Sequence, residues 1–201
     1  DTFDLSGSFN GTVNGNGGDD VLNLNTHQVG TFDGGSTGET SGDLIMAADG
    51  TNSSYIINGA NAGAISIVSP VSRTTGFANV ENLTGANGID QFEIRAGGSL
   101  SGNIDGGAGF TDSLAGANGP NTWTTTADGS GTVTNLGGSF SDIENLIGGT
   151  AVDTFNVATD WTNGQIAGRD GNDVFNITEG INAPGGVNGN GGTDVLTWEE
   201  R

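Results

Sequence analysis

The sequence predicts an all-β protein, a right-handed parallel β-helix (β-solenoid) of about nine coils with roughly 20–22 residues in each. Three observations predict it. A motif that ends in Asp-x-Leu/Phe recurs along the chain, 39 of the 201 residues are glycine, and hydrophobic residues make up only 32%. A long, thin core to which each coil contributes a few apolar residues fits these numbers better than a thick two-layer core.

The recurring motif has three parts: a strand-like Gly-x-Ile/Val-x-Gly, a glycine-rich turn, and then Asp-x-Leu/Phe. Clear copies occupy residues 13–22, 104–114, 166–175 and 187–196, shorter copies lie at 90–92 and 153–155, and a weaker copy with a lengthened turn ends at 43–45. One coil buries little apolar surface by itself, so each inward Leu, Ile, Val or Phe is expected to pack on its equivalent in the next coil. Glycine, asparagine and aspartate suit the turns, because they tolerate positive φ or bond to the turn backbone.

A longer unit lies over this motif. Residues 77–83 match residues 140–146, a shift of 63. Tyr55 and Trp123 open matching segments, and each is followed by a glycine-containing turn. Their shared position in the repeat predicts that both side chains pack in the core.

The spacing of the turn aspartates predicts the coil length. They are 22, 20 and 21 residues apart at Asp90–Asp112, Asp153–Asp173 and Asp173–Asp194. The gaps from Asp43 to Asp90 (47 residues) and from Asp112 to Asp153 (41 residues) are interpreted as two coils each, with the Tyr55 and Trp123 segments as the middle coils. On this interpretation, Asp153, Asp173 and Asp194 lie on one edge of the stack in consecutive coils.

Other structural classes fit the sequence less well. An immunoglobulin-like sandwich would have strands of about 5–6 residues and no fixed period near 20. Helices are not expected, because Gly, Asn, Thr and Asp are abundant and no apolar stripe follows a 3.6-residue period. Residues 1–201 are expected to form one β-solenoid domain. Because the chain starts inside a copy of the motif, we interpret it as a fragment of a longer repeat array.

The charge balance excludes several partners. The chain has 24 acidic residues against 4 Arg and no Lys, which gives a formal net charge of −20. Such a surface repels nucleic acid and anionic membranes, because it lacks cations to replace the counterions of phosphate. No apolar run approaches the roughly 20 residues that cross a bilayer, so no membrane insertion is expected. The composition suits solubility, divalent cations and a place outside the cell.

The turns resemble the calcium-binding nonapeptide of RTX proteins, Gly-Gly-x-Gly-x-Asp-x-apolar-x. The best copy is 168–176, in which Arg169 replaces the second glycine, and weaker copies lie at 15–22, 148–153 and 189–196. The resemblance implies Ca²⁺ as a cofactor, with its metal ligands at Asp153, Asp170, Asp173 and Asp194. The chain departs from the family by having one such turn per coil, so at most one edge of the stack would carry ions.

Electrostatics leaves two alternatives for this row of aspartates. In consecutive coils, Asp153, Asp173 and Asp194 would follow one another at the strand spacing of about 4.8 Å. Unit charges at that distance repel by roughly 0.9 kcal/mol in bulk water, and by more in a partly dry turn. Either each carboxylate accepts hydrogen bonds from backbone N–H groups and only caps its turn, or a hard cation lies between the coils. Calcium suits the second alternative, because turn carbonyls and carboxylates offer only oxygen ligands.

The Glu-Asn-Leu-x-Gly-Gly sequence at 144–149 and the Gly-x-Ile-x-Gly-Gly sequence at 102–107 resemble repeats of very large secreted bacterial adhesins, including filamentous-haemagglutinin-like proteins. The resemblance covers nearly the whole chain. It implies a non-catalytic structural or adhesive segment, either extracellular or on the bacterial cell surface. Its partners would be neighbouring repeats of the same chain and a cell-surface or matrix carbohydrate or protein. The shared residues belong to turns and core, so they predict architecture more than ligand.

The main alternative is an enzyme, because polysaccharide lyases and hydrolases also use right-handed β-helices. A lyase of that fold needs a basic proton acceptor, and the sequence offers only four scattered arginines and a lone His27; the arginines are Arg73, Arg95, Arg169 and Arg201. Paired carboxylates for glycoside hydrolysis can be chosen almost anywhere among the 24 acids, so they predict nothing. We therefore expect no catalytic site.

Two kinds of surface residue suggest other ligands. Flat solenoid faces with rows of threonine can order water, which keeps an ice-binding solenoid as an alternative. The threonines between 122 and 134 do not recur at the coil period, however, and the β-propensity of a solvent face explains them. Trp123, Trp161 and Trp198 are candidate sugar-stacking platforms, although Trp123 is expected in the core.

Overall fold

The structure is a computed structural model that describes residues 1–5, 7–25, 29–67, 73–109 and 111–199. Over these ranges the chain forms 21 strands joined by turns and bends, and no helix. Accordingly, none of the described residues belongs to a helix that could cross a membrane. The strands are β1 (Thr2–Asp4), β2 (Phe9–Gly17), β3 (Val21–Asn23), β4 (Val29–Thr37), β5 (Leu44–Met46), β6 (Ser53–Gly59), β7 (Ala62–Ile67), β8 (Arg73–Ala78), β9 (Asn82–Thr84), β10 (Asp90–Ile94), β11 (Ile104–Asp105), β12 (Ser113–Ala115), β13 (Thr122–Ala127), β14 (Ser130–Val133), β15 (Phe140–Ser141), β16 (Asn145–Ile147), β17 (Thr154–Val157), β18 (Ile166–Ala167), β19 (Val174–Thr178), β20 (Val187–Asn188) and β21 (Val195–Glu199).

The strands form two open sheets, and the chain passes repeatedly from one to the other. Sheet A has 11 strands in the order β1-β3-β5-β9-β11-β15-β14-β13-β17-β19-β21, and sheet B has 10 in the order β2-β4-β8-β7-β6-β10-β12-β16-β18-β20. Most neighbouring strands are parallel and in register: Phe155 in β17 pairs with Phe175 in β19, which pairs with Leu196 in β21. The prediction of a mostly parallel all-β architecture is confirmed.

The core lies between the two sheets and follows from alternation along each strand. In β17 and β19 the residues Phe155, Val157, Phe175 and Ile177 are all buried, and the asparagines between them face outward. Successive side chains of a strand point to opposite faces, so this period of two directs one apolar set inward. Inward residues of both sheets form one hydrophobic cluster.

Aromatic rings stack along the core from strand to strand. Trp123 stacks on Phe155 with ring centroids 5.6 Å apart, and Phe155 stacks on Phe175 at 5.0 Å. In sheet B, Tyr55 stacks on Phe92 at 4.3 Å. Tyr55 and Trp123 are both fully buried, which confirms the prediction that their shared repeat position is a core position.

The Tyr55 and Trp123 segments are not parallel coils, and the expectation for them is wrong. Strands β6, β7 and β8 form an antiparallel meander in sheet B, and β13, β14 and β15 form one in sheet A. In the second meander, Asp128-Gly129 joins β13 to β14, and Gly129 has a φ of +71°. Asp-Gly between two strands is a two-residue hairpin signal, because positive φ in the turn matches the twist of the strands. The chain therefore folds back within one sheet instead of crossing to the other.

The meanders change which sheet each copy of the 63-residue unit uses. Leu83 lies in β9 of sheet A, whereas its equivalent Leu146 lies in β16 of sheet B. Asp90 likewise begins a strand of sheet B, and Asp153 directly precedes one of sheet A. Equivalent residues of successive units thus lie in opposite sheets. The gaps of 47 and 41 residues each contain a meander and a change of sheet, so the turn aspartates on either side of each gap lie at strands of different sheets.

Candidate functional sites

The turn aspartates form ladders of carboxylates, one ladder at the start of each group of strands. In each rung, a backbone N–H donates to the carboxylate that occupies the equivalent position in the next strand. The rungs join Asp20 to Asp43 (2.7 Å), Asp43 to Glu81 (2.8 Å), Ser53 to Asp90 (2.8 Å), Asp90 to Asp112 (2.7 Å), Asp112 to Glu144 (2.8 Å), Asn121 to Asp153 (2.7 Å), Asp153 to Asp173 (2.8 Å) and Asp173 to Asp194 (3.0 Å). Each rung gives a buried or partly buried N–H group a carboxylate acceptor, and hydrogen bonds to charged acceptors are stronger than neutral ones.

The glutamates of the repeat complete these ladders. Glu81 and Glu144 take the place of an aspartate as the last acceptor of their ladders. The next residues, Asn82 and Asn145, each accept an N–H from the strand that follows, that of Asn103 at 3.0 Å and that of Gln165 at 3.2 Å. The Glu-Asn-Leu sequence therefore connects the strand before it to the strand after it, which explains its place in the repeat.

Three of the four predicted metal ligands lie in consecutive rungs of one ladder, and the fourth lies outside it. Asp153, Asp173 and Asp194 directly precede the neighbouring strands β17, β19 and β21 of sheet A, in consecutive rungs. Asp153 and Asp173 are fully buried, while Asp194 is exposed. Asp170 is exposed and lies outside the ladder, where its backbone bridges Gly191. The geometry supplies backbone donors to this row of aspartates, and calcium there remains a proposal.

A glycine five residues before the aspartate makes room for the carboxylate. A Cβ placed on Gly148 or Gly168 would clash with Oδ2 of Asp153 or Asp173 and with a carbonyl oxygen of the adjacent strand. The backbone and the carboxylate are thus in contact at a position where only a hydrogen fits. The Gly-x-x-x-x-Asp spacing of the turns has this steric cause.

The second carboxylate oxygen is satisfied in some rungs and not in others. Oδ2 of Asp153 accepts the N–H of Gly149 at 2.6 Å, and Oδ2 of Asp90 accepts that of Ala86 at 2.9 Å. In Asp20, Asp43, Asp112 and Asp173, Oδ2 is buried without a hydrogen-bond partner among the described residues. A buried oxygen that lacks a donor disfavours the charged form of the carboxyl group.

Burial raises the pKa of several ladder acids. It raises the pKa of Asp112 to about 7, opposed by the hydrogen bond from Asp90 and reinforced by the charges of Asp90 and Glu144. It raises the pKa of Asp43 to about 6, with the hydrogen bond from Asp20 opposing and the charge of Glu39 adding. These two carboxyl groups therefore exchange protons near neutral pH, although they lie inside the stack.

One cluster of three carboxylates was not predicted. Glu39, Asp43 and Glu81 each place a carboxylate oxygen within 4.8 Å of the other two. The available signal in the sequence was the lengthened turn before Asp43: Gly34, whose Cβ position meets the Asp43 carboxylate, precedes it by nine residues instead of five. Glu39 lies within that longer turn.

The outer face of sheet B carries a groove of about 680 Å³. Its floor includes a column of uncharged polar side chains, Gln91, Ser113, Asn145 and Gln165, which lie side by side on β10, β12, β16 and just before β18. Arg169 lines the groove, and it also lines an adjoining cavity of about 390 Å³ together with Arg95. The structure thus brings together two arginines that the sequence analysis treated as scattered.

Arg169 has an unusual backbone. It adopts a φ of +70° at a position where the equivalent turns use Asn16 (+78°) and Asn190 (+66°). Asparagine takes up this left-handed region more readily than arginine does, and such strain is common at functional sites. His27 and Arg201, two other residues considered for catalysis, lie outside the described residues.

The candidate sugar-stacking tryptophans differ in exposure. Trp123 and Trp161 are at most 1% exposed, so neither presents a ring face to a sugar. The indole N–H of Trp161 donates to the backbone oxygen of Glu144 at 2.7 Å. Trp198 pairs in register with the inward residue Ile177 and is 62% exposed, because β21 is the last described strand of sheet A.

No protein-family model matches the chain, and comparisons with characterised proteins and with solved structures likewise returned no match.

Proposed function

We propose that the chain is a non-catalytic segment of a large bacterial surface or secreted protein and that it serves outside the cell as a spacer and adhesive module. In this proposal residues 1–201 form one right-handed β-solenoid domain of about nine coils, with each meander counted as one coil. The observation that carries the proposal is the continuous hydrogen-bonded stack of strands over a single core. Eleven strands at about 4.8 Å each give sheet A a length of about 50 Å, which suits a rigid spacer.

Small-angle X-ray scattering tests the spacer role. An elongated particle with the cross-section of a single solenoid is expected. A near-spherical profile, or helix in the far-ultraviolet circular dichroism spectrum, would contradict the solenoid.

The outer groove of sheet B supports the adhesive role. Amide and hydroxyl side chains at the strand spacing match the hydrogen-bonding groups of a carbohydrate chain, and Arg169 adds donors beside Asp170, which also lines the groove. The partner is accordingly a cell-surface or matrix carbohydrate, and a protein ligand is the other outcome of the test.

Binding to an array of neutral and acidic polysaccharides tests this role. We expect Gln165→Ala and Arg169→Ala to weaken polysaccharide binding, whereas Thr124→Ala on the outer face of sheet A leaves it unchanged. Equal binding by all three variants would place the ligand elsewhere on the surface.

A polysaccharide-lyase-like enzyme is the second candidate, and one observation favours it: Arg95 and Arg169 line the same cavity, beside Glu93. Glu93 already pairs with Arg95 at 3.0 Å. The acids with the most strongly raised pKa, Asp43 and Asp112, are fully buried in the stack, out of reach of a polymer substrate. A screen of acidic polysaccharides is expected to show no turnover; turnover that disappears in Arg169→Ala would establish the enzyme instead.

Ice binding has less support. On the outer face of sheet A, Thr124 begins a column of paired residues from neighbouring strands. The column continues with Asn156, Asn176 and Thr197. A regular threonine row is therefore interrupted by two larger amides.

A further inference from the structure

The lengthened turn between β4 and β5 brings an extra acid onto the first ladder. The turn is held by Asp19, whose Oδ1 accepts the backbone N–H groups of Thr40, Ser41 and Gly42 at 2.7, 3.0 and 3.1 Å. These bonds position the segment that contains Glu39, and the Glu39 carboxylate lies beside those of Asp43 and Glu81.

Two of the three carboxylates are incompletely satisfied. Asp43 is fully buried; its Oδ1 accepts the N–H of Asp20 at 2.7 Å, and its Oδ2 has no donor among the described residues. Oε1 of Glu39 is also buried without a described donor. Glu81 has donors for both of its oxygens, the N–H of Asp43 at 2.8 Å and the side-chain amide of Asn61 at 2.7 Å.

No described cation neutralises this cluster. The charged groups that act on Glu39 are all acids, namely Glu81, Asp19 and Asp20, and burial together with their repulsion raises the pKa of Glu39. Like charges held this close in a partly buried site repel each other strongly unless a proton or a cation lies between them.

We propose that Glu39, Asp43 and Glu81 form a calcium-binding site. Calcium takes 6–8 oxygen ligands at about 2.3–2.6 Å, so opposite ligands are about 4.6–5.2 Å apart, and the three carboxylate oxygens lie within that span. The unpartnered oxygens of Asp43 and Glu39 are ligands without a competing donor. Magnesium suits the site less, because it requires a near-ideal octahedron and retains most of its water.

The hydrogen bonds around the cluster favour a metal site. The N–H groups of Asp20 and Asp43 and the amide of Asn61 hold Asp43 and Glu81 in place, as donors of this kind do for metal-ligating carboxylates. The site is separate from the 148–194 turns and does not depend on the proposed function. A bound ion would join the lengthened turn to the starts of β5 and β9.

The second unit contains an internal comparison. Asp112 and Glu144 form the same rung as Asp43 and Glu81, also at 2.8 Å. Within the described residues, a third acid completes such a three-carboxylate group only at the Asp43–Glu81 rung. The third carboxylate is therefore the feature that distinguishes the proposed site.

The test measures calcium binding by isothermal titration calorimetry, and the melting temperature in millimolar CaCl₂ and in EGTA, at pH 7.5 and fixed ionic strength. The wild-type chain is expected to bind calcium at this site and to melt at a higher temperature in calcium, since binding stabilises by mass action. Glu39→Gln is expected to weaken the affinity at least tenfold. In EGTA the same variant should melt at or above the wild-type temperature, because one of three repelling charges is gone.

Two further variants test whether the calcium binding belongs to this cluster. Glu81→Gln keeps an oxygen for the N–H of Asp43 and is expected to lose calcium binding as Glu39→Gln does. Asp170→Asn, in the predicted turn site, is expected to retain it. The proposal fails if wild type shows neither heat nor a melting shift, if Glu39→Gln and Glu81→Gln bind as tightly as wild type, or if Asp170→Asn alone loses binding. An equal shift with magnesium would overturn the assignment to calcium.

Discussion

At the scale of single residues, the structure shows why the turns contain glycine and aspartate at a fixed spacing. In Asp90, Asp153 and Asp173 the carboxylate accepts an N–H from the neighbouring strand and at the same time lies against the Cα of a glycine five residues earlier in the chain. Both contacts are short, so each residue restricts the other. A substitution at either position tests whether the ladder contributes to the stability of the fold or forms without stabilising it.

The first prediction concerns the glycine. Gly168→Ala is expected to lower the free energy of unfolding by about 1–3 kcal/mol, because its Cβ would clash with the carboxylate of Asp173 inside a packed turn. Gly119→Ala is the matched control, since no atom lies within 4 Å of its Cβ position. Urea denaturation of both variants measures the difference. Equal stability of the two variants would show that the turn relaxes around a methyl group.

The second prediction separates two aspartates that look alike in sequence. Asp153→Asn is expected to destabilise by about 1–3 kcal/mol, because an amide NH₂ must face either the N–H of Gly149 or those of Asn121, all of which now donate to the carboxylate. Asp112→Asn is expected to be neutral or stabilising at pH 8, because its Oδ2 has no described partner and a buried charge is removed.

Chemical denaturation at pH 8 provides the measurement, with circular dichroism to verify that both variants fold. A loss of stability in Asp112→Asn as large as that in Asp153→Asn would show that the buried charge itself stabilises the ladder.

At the scale of strands, stability comes from inward side chains that repeat in register. Phe155 lies between Trp123 and Phe175 in the aromatic stack and is fully buried. Strands of two to five residues such as β17 make few hydrogen bonds each, so packing between neighbours holds them together.

The third prediction follows from this stack. Phe155→Ala is expected to cost about 3–5 kcal/mol, the range for removing a buried aromatic ring. Trp198→Ala, in the exposed last strand, is expected to change stability by no more than about 0.5 kcal/mol. Thermal melts of the two variants provide the comparison. A small loss in Phe155→Ala would mean that the neighbouring rings close the cavity.

At the scale of the whole molecule, the chain carries a net charge of −20, and several of its acids lie in the interior. Protonation therefore acts on folding as well as on solubility. The folded pKa values of Asp112, about 7, and Asp43, about 6, lie above the ordinary aspartate value of 3.8 that applies to the unfolded chain. The folded state thus binds more protons than the unfolded state between these values and pH 4.

The fourth prediction is that the free energy of unfolding rises as pH falls from 8 towards 5. The increase in the free energy of unfolding that Asp112 and Asp43 contribute develops as the pH falls through their folded pKa values, and it is complete below about pH 4. Backbone hydrogen bonds lower the pKa of Asp19, so its protonation reduces the free energy of unfolding, but only at lower pH. Denaturation at fixed ionic strength in EGTA across this range is the measurement, and Asp112→Asn should flatten the curve. A steady loss of stability from pH 8 to 5 would contradict the prediction.

The sequence by itself determined the all-β class, the inward positions of Tyr55, Trp123 and the repeated apolar residues, and the alignment of Asp153, Asp173 and Asp194. These features depend on local rules: the period of two along a strand and the turn chemistry of glycine and aspartate. Spacings of 20 and 21 residues then bring like residues together without further information.

Only the tertiary structure decided the direction of the middle strands, the exchange of the 63-residue units between sheets, the three-carboxylate cluster and the outer groove. Side chains alternate in the same way in parallel and antiparallel strands, so the apolar pattern does not determine how many times the chain crosses between the two sheets. One three-stranded meander per unit changes that number, and with it the sheet on which every later residue lies. Glu39 lies beside Glu81 across a meander, and Arg95 and Arg169, which follow β10 and β18 of sheet B, line one cavity. Local sequence spacing does not predict either proximity.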